Sequence, residues 1–427
     1  METVMRLKSL MLLMVGAFVF SVFSTSVFAA GTVKIAYIDP LSGGFGDVGD
    51  AGHKHFKFMA DKIKAEGGFL GGMNFEIVPF DNKISAKESL VQLKHAIDQG
   101  IRFITQGNGS SVAGALIEAV KKHNRRNPDK TVLYFNYAAV TPAFTEAKCD
   151  FWHFRFDAHV DMKIAAITDA IKGEPGIKKV YLLNQDYVFG HAVSAAAQKM
   201  LKAKRPDIKI VGNTFHPILK VKDFAPYVAK IRKSGAQAVI TGNWGADMSL
   251  LGKGVNEAGL KASFYTFYAG GLGTPSTMGK AMDGLRQVTE WHDNLSVEEN
   301  RPFDAKFRKA YNDKFSGGGK APWYYGRIRT MMEMVTKAFN IAGSTDPKAV
   351  AYALEGMEHT TYYGKVVMGA HDHQLLQPLY ISRFTKTDGK MVKYDREHTG
   401  FGPTTESKTQ SLGTATSAPG ACKMKRP

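Results

Sequence analysis

Short apolar runs alternate with amphipathic stretches along most of this chain, a pattern that predicts strands each followed by a helix. Val33 to Ile38 reads as a strand leading into a glycine-rich loop, Ser42 to Asp50. A helix is expected from about Ala51 to Ala65, stopping at Gly67-Gly68, with Phe75 to Phe80 as the next strand. Ser85 and Glu88 have the spacing of a capping box, and Leu90, Leu93 and Ile97 form one apolar stripe that ends at Gly100. Ile101 to Thr105 is strand-like again, and Thr131 to Tyr137 is a further apolar run.

The rhythm repeats after Asp157. A helix is expected over Val160 to Lys172, a strand over Lys179 to Leu183, and a turn at Gln185 to Gly190 that opens a helix carrying Val193, Ala197, Met200 and Leu201. Ile208 to Val211, Ala236 to Thr241 and Ser263 to Tyr268 read as strands, with a helix capped by Asp223 and ended by Gly235 among them. Pro302 to Gly343 reads as mostly helical, Tyr362 to Lys393 as strand-like, and the Ser/Thr/Gly-rich stretch from Pro403 as a tail without a core. Alternation of this kind implies an α/β fold of parallel sheets covered on both faces, and two such runs imply two similar lobes. Open sheets of that class bind ligands beyond the carboxyl ends of their strands.

Composition adds three points. Arg6 and Lys8, the apolar run Leu10 to Phe23, and Val27-Phe28-Ala29 form a secretory signal peptide, cleaved after Ala29, so the mature chain is expected to be exported and soluble. The net charge of +17 falls by one when Glu2, Arg6 and Lys8 leave with the leader. The remaining Lys and Arg are scattered, with no nucleic-acid-binding motif, and their field would attract small anions. The two cysteines, Cys149 and Cys422, suggest one disulfide in an oxidising compartment.

Within Phe103 to Ala119, Gly107 and Gly109 make a tight turn and Ser110 and Ser111 stand where a helix would begin. The serines either cap that helix or hydrogen-bond a bound carboxylate, since a helix N-terminus favours an anion. Gly107-x-Gly109 lacks the third glycine and the distal acid of a dinucleotide fingerprint, and there is no phosphate-loop lysine. Gly109-Ser110-Ser111-Val112-Ala113 misses the last glycine of a hydrolase elbow. His371-Asp372-His373 reads as a turn rather than a metal pair, and His53 and His55 as surface residues. No catalytic residue, metal ligand or cofactor is therefore assigned. Tyr137, Phe189, Trp244 and Tyr268 all fall at or just past strand ends, which suggests an aromatic-lined cleft between the lobes.

Val33 to Gly49, Gly67-Gly68 with Gly71-Gly72, Gly107 to Ser111, Tyr137 to Thr145, Asp186 to Gly190, Asp223 to Trp244 and Asp372-His373-Gln374, in this order, resemble the type I periplasmic solute-binding proteins of ABC transporters, branched-chain amino acid and amide subfamily. The resemblance covers most of the mature chain. It implies two flavodoxin-like, three-layer lobes joined by three hinge crossings, near Arg155 to Asp157, Thr289 to His292 and Val367 to Gln377. The first lobe would comprise 30–154 plus 293–366, the second 155–292 plus 367–402, and the tail 403–427.

The resemblance also implies a site. The family's serine at the helix mouth matches Ser111, its Ala-Thr stretch matches Ala138 to Val140, its aromatics match Phe189 and Trp244, and its acid for the ligand's ammonium matches Tyr268. Two positions depart: Val140 lacks the threonine hydroxyl and Tyr268 lacks the charge. Burying an unpaired ammonium is costly, so the ligand implied is an acid without an α-amino group, or an amide, unless another acid such as Asp186 substitutes. Ser111, Ala138 and Ala139 are thus expected to hold a carboxylate while Phe189, Trp244 and Tyr268 close over its body, with Ser110 and Val140 also in the ligand-binding set. The expected role is that of a monomeric periplasmic protein that delivers a small carboxylate-bearing solute, a branched-chain amino acid or a related organic or aromatic acid or amide, to an ABC-transporter permease. A periplasmic sensory subunit and a secreted hydrolase are the alternatives.

Overall fold

The computed structural model describes residues 31–295, 325–409 and 420–427, with Lys306 and Lys309; the expected leader and most of 302–324 lie outside the described residues. No helix among the described residues is long and apolar enough to cross a membrane.

Five parallel strands make the first sheet: β1 (Thr32–Asp39), β2 (Asn74–Asp81), β3 (Phe103–Gln106), β4 (Leu133–Asn136) and β5 (His153–Arg155), in the order β2-β1-β3-β4-β5. β3 and β4 are buried at every position. Helices cover both faces of such a sheet, so its central strands are continuous apolar runs rather than alternating ones. Helices α1 (Gly46–Ala65), α2 (Ala86–Asp98) and α3 (Ser110–Arg126) join the strands. The N-cap of α2 is Ser85, whose side chain accepts the Glu88 N–H at 3.3 Å, as the capping pattern predicts. His55 on α1 corrects the expectation of a surface pair. It is 2% exposed, on the same buried face as Phe56, Met59 and Ile63, and burial pushes its imidazole down to about 3.

The second sheet begins with β6 (Lys179–Gln185), β7 (Lys209–His216), β8 (Ala238–Thr241), β9 (Ser263–Thr266) and β10 (Arg286–Thr289), joined by parallel pairings in the order β7-β6-β8-β9-β10. Helices α4 (Val160–Lys172), α5 (Val188–Lys204), α6 (Ala225–Ser234), α7 (Gly245–Ala258) and α8 (Thr274–Met278) belong to this half. Both sheets therefore share one topology, in which the strand order reverses beside the first strand of each. Helices α9 (Tyr325–Ala342) and α10 (Pro347–Leu354) follow. α9 packs on α1, and its Phe339 lies 5.0 Å from both Phe69 and Phe103 between ring centroids, so α9 completes the first lobe.

A small antiparallel sheet, β11 (Glu358–Thr361), β12 (Gly364–Met368) and β13 (Leu375–Leu376), precedes β14 (Leu379–Lys386) and β15 (Phe401–Thr409). β14 pairs antiparallel with β10, and β15 with β14. β15 corrects the expected tail, because residues 403–409 continue a strand. As an edge strand it tolerates Pro403 and an exposed, Thr-rich outer half, a composition that reads as a linker in sequence. Cys149 and Cys422 form a disulfide, and Arg426 pairs with Glu355 at 2.9 Å, fastening the last residues to the body of the protein.

Buried polar side chains brace the segments that pass between the sheets. Arg155, fully buried at the end of β5, donates to Gln374 Oε1 at 2.6 Å and to the Thr141 carbonyl, while Gln374 donates to the Asp157 carbonyl at 2.9 Å. Asp157 meets Lys163 at 2.9 Å and Arg327, and Arg327 forks onto both oxygens of Glu290 at 3.0 Å. Two anions and two cations, all buried, are thus mutually neutralised, which keeps the loss of hydration tolerable.

Candidate ligand site

The polar centre of the first lobe is Asp39, the last residue of β1, which is fully buried. Its carboxylate accepts the backbone N–H groups of Gly107 at 3.1 Å and Asn108 at 2.9 Å, and the Tyr137 hydroxyl at 2.7 Å. Burial pushes Asp39 up to about 7, against the opposing pull of those three donors. The network fixes the turn after β3. Gly107 is required there, since a Cβ would lie 2.8 Å from the Ala138 Cβ and from the Tyr137 ring. On the neighbouring loop, Asn136 accepts the N–H groups of Ala138 and Ala139 at 3.2 and 2.8 Å and donates to the Ala139 carbonyl at 2.9 Å.

The N-cap of α3 is Gly109, with φ +88° and no side-chain cap. Neither serine performs the capping that the sequence left open, and the N–H groups of the first turn have no intrahelical acceptor. α5 begins after β6 with Tyr187 as its N-cap, and α7 begins after β8 with Trp244 as its N-cap, again without side-chain caps. Trp244 donates its indole N–H to the Tyr187 hydroxyl at 2.8 Å. Phe189 and Tyr268 stand 6.1 Å apart between ring centroids, and Lys163 Nζ lies 5.3 Å from the Tyr268 ring centre.

These elements form a pocket lined by Gly107, Asn108, Gly109, Ser110, Ala138, Ala139 and Val140 from one side and by Tyr187, Phe189, Trp244 and Tyr268 from the other. It lies beside the strand reversals of both sheets, where open α/β sheets form their ligand crevices. Seven of the eight sequence-derived residues converge on it. The exception is Ser111, which is exposed and does not line the pocket; the buried Ser110 takes the position instead. The reason is helix phase, since capping by Gly109 turns the first helical residue inward and the second outward. Asp186 is exposed, paired with His191 at 2.9 Å, and absent from the lining. Sequence reasoning missed Asn108 and Tyr187, although both stand in turns that it had marked.

Two lobes of one topology, meeting over a small buried pocket at their strand reversals, define a two-lobe binding protein for a small molecule. The chain belongs to the periplasmic binding protein family, whose model matches residues 32–390. It is 30% identical over 402 residues to Leu/Ile/Val-binding protein homolog 4 of Brucella melitensis, covering 93% of this chain and 94% of that one. The closed-form crystal structure of a leucine-, isoleucine-, valine-, threonine- and alanine-binding protein from Brucella ovis superposes with a TM-score of 0.80 at 29% identity, covering 93% of this chain and all of that one. A solute-binding protein of an ABC transporter from Rhodopseudomonas palustris BisB5, in complex with 3,4-dihydroxybenzoic acid, shares the fold, with a TM-score of 0.75 at 19% identity over 89% and 98% of the two chains. The protein is accordingly a non-enzymatic solute-binding protein of the periplasmic binding protein family.

Proposed function

We propose that this protein captures a small carboxylate that carries no α-ammonium group, of the aromatic-acid class, and delivers it as a monomer to an ABC-transporter permease. The observation that carries this reading is the pocket's electrostatics. Three helices present uncapped N-termini to it, and no lining residue is an Asp or Glu. Helix N-termini favour negative charge, whereas an ammonium buried there would meet three positive dipole ends and no carboxylate among the described lining residues. Ser110 and the first-turn N–H groups of α3 hold the carboxylate, with Ala138, Ala139 and Val140 shaping its seat. Phe189, Trp244 and Tyr268 close over an unsaturated or aromatic body. A lining of short side chains on one wall and four rings on the other suits a flat body with one acid group.

Closure is a hinge motion about three crossings between lobes at 30–154 plus 293–366 and at 155–292 plus 367–409, with ligand shifting the population towards the closed form. A branched-chain amino acid is the second reading, favoured by the names of the Brucella relatives. A thermal-shift screen of the mature protein against benzoate, 4-hydroxybenzoate, leucine, valine and small amides separates the two, because a ligand of the folded state raises the melting temperature. The expected result is a shift with the benzoates and none with leucine. Stabilisation by leucine but by no non-amino acid would overturn the proposal.

A further inference from the structure

Outside the pocket, the two lobes meet at a second built contact. Phe45 of the first lobe is 1% exposed although it belongs to the loop after β1. Its ring stacks on Trp244 of the second lobe at 4.0 Å between centroids, with the planes 14° apart. The next residue, Gly245, has φ +58°, and a Cβ there would fall 2.5 Å from two atoms of the Phe45 ring. Beside it, a Cβ on Gly44 would lie 3.1 Å from Leu219 Cδ2. Leu219 itself holds φ +58°, a conformation that costs a side-chain-bearing residue energy and persists only where the surroundings impose it.

Each half of this contact is braced by a carboxylate. Asp81 accepts the Leu41 N–H at 2.9 Å and the Ser42 hydroxyl at 2.5 Å, which sets the approach of the Gly44-Phe45 knob. Asp247, fully buried, accepts the Leu219 N–H at 3.0 Å and Gln185 Nε2 at 2.7 Å on one oxygen, which sets the socket.

We infer that Gly44 and Phe45 are a latch that seats between Leu219, Trp244 and Gly245 to hold the lobes shut, and that the Trp244 indole couples it to the pocket. Trp244 both lines the pocket and carries the Phe45 stack. A ligand that orients the indole completes the socket, and the seated Phe45 in turn holds the indole over the ligand. Phe45 is a positioning residue: it acts on ligand through Trp244 and governs how long the closed form lasts. The coupling rests on the pocket reading above, whereas the latch rests on the contacts between lobes alone.

Stopped-flow tryptophan fluorescence on the mature protein, with 4-hydroxybenzoate and leucine as separate probes, tests the coupling. Phe45→Ala is expected to release the retained probe about tenfold faster with the association rate within about twofold, the pattern of a lost closed-state contact. Phe45→Tyr should restore slow release, and Gly245→Ala, which intrudes on the ring from the other lobe, should reproduce the fast release. Unchanged release, or a loss confined to association, overturns the inference. Small-angle scattering of the ligand-free proteins judges the latch even if neither probe is retained, an outcome that would count against the proposed ligand class. A larger radius of gyration for Phe45→Ala than for the native chain supports the latch, and equal radii sink it.

Discussion

The two walls of the pocket are built from opposite materials. The first lobe contributes Gly107, Asn108, Gly109, Ser110 and the 138–140 turn, which is mostly backbone and short side chains, whereas the second contributes four aromatic rings. The topology behind the two walls is the same, and the loops that follow equivalent strands face each other. What differs is residue size at the strand ends. Small residues bring backbone N–H groups close to a ligand and suit an anion, while rings supply area and shape for its body. One fold used twice thus yields a site with a polar, backbone-rich end and an aromatic end, and the division follows from side-chain volume.

The comparison can be broken most forcefully on the aromatic side. Trp244→Ala removes one wall together with the Phe45 stack, and should weaken binding of a retained benzoate on the order of 100-fold by calorimetry, with Trp244→Phe recovering most of it. On the backbone side, Gly107→Ala places a Cβ 2.8 Å from Ala138 and Tyr137. It should cost about 1–3 kcal/mol of stability in denaturant unfolding, and weaken binding as the turn shifts. Ser110→Ala removes one hydroxyl and should cost about tenfold in affinity, consistent with a hydrogen bond to a charged group.

A pH titration probes the polar end more gently. Asp39 is raised to about 7 in the folded protein from an ordinary 3.8, so the native state retains a proton that the unfolded chain has lost. Stability should therefore fall as pH rises from about 4 to about 7 and then level off. Affinity for a carboxylate probe should drop severalfold between pH 6 and pH 8, as a negative charge appears behind the anion seat. Asp39→Asn should flatten both profiles. The smallest effect is expected from Ser111→Ala, whose affinity should match the native protein within error. A loss equal to that of Ser110→Ala would mean that α3 presents the other serine to the ligand.

Most elements were legible because their signals are local. Alternation of apolar runs with amphipathic stretches located the strands, Ser85 with Glu88 marked a helix start, and Gly235 ended a helix in the left-handed conformation expected of it, at φ +65°. Where partnership rather than composition decides, the reading failed. β15 is held by pairing with β14, a long-range contact that a Thr-rich stretch does not announce. The resemblance pointed to Ser111, whereas Ser110 lines the pocket, because helix phase depends on the cap chosen by the folded backbone, and here Gly109 takes it. Phe45 stands within the glycine-rich stretch Ser42 to Asp50 with no local mark of its role, since its partner lies about two hundred residues away in the other lobe.

The sequence by itself determined the two α/β lobes, the glycine turns at their strand ends, and the contrast between a small-residue loop at 107–111 and the aromatics at 189, 244 and 268. These follow from side-chain size, polarity and backbone freedom, which each residue carries with it. Tertiary structure alone decided which serine lines the pocket, that Asp39 organises the turn at 107–109, and that Trp244 both lines the pocket and stacks on Phe45. Those outcomes depend on how two sheets are set against each other, a relation between segments far apart in the chain that no local pattern encodes.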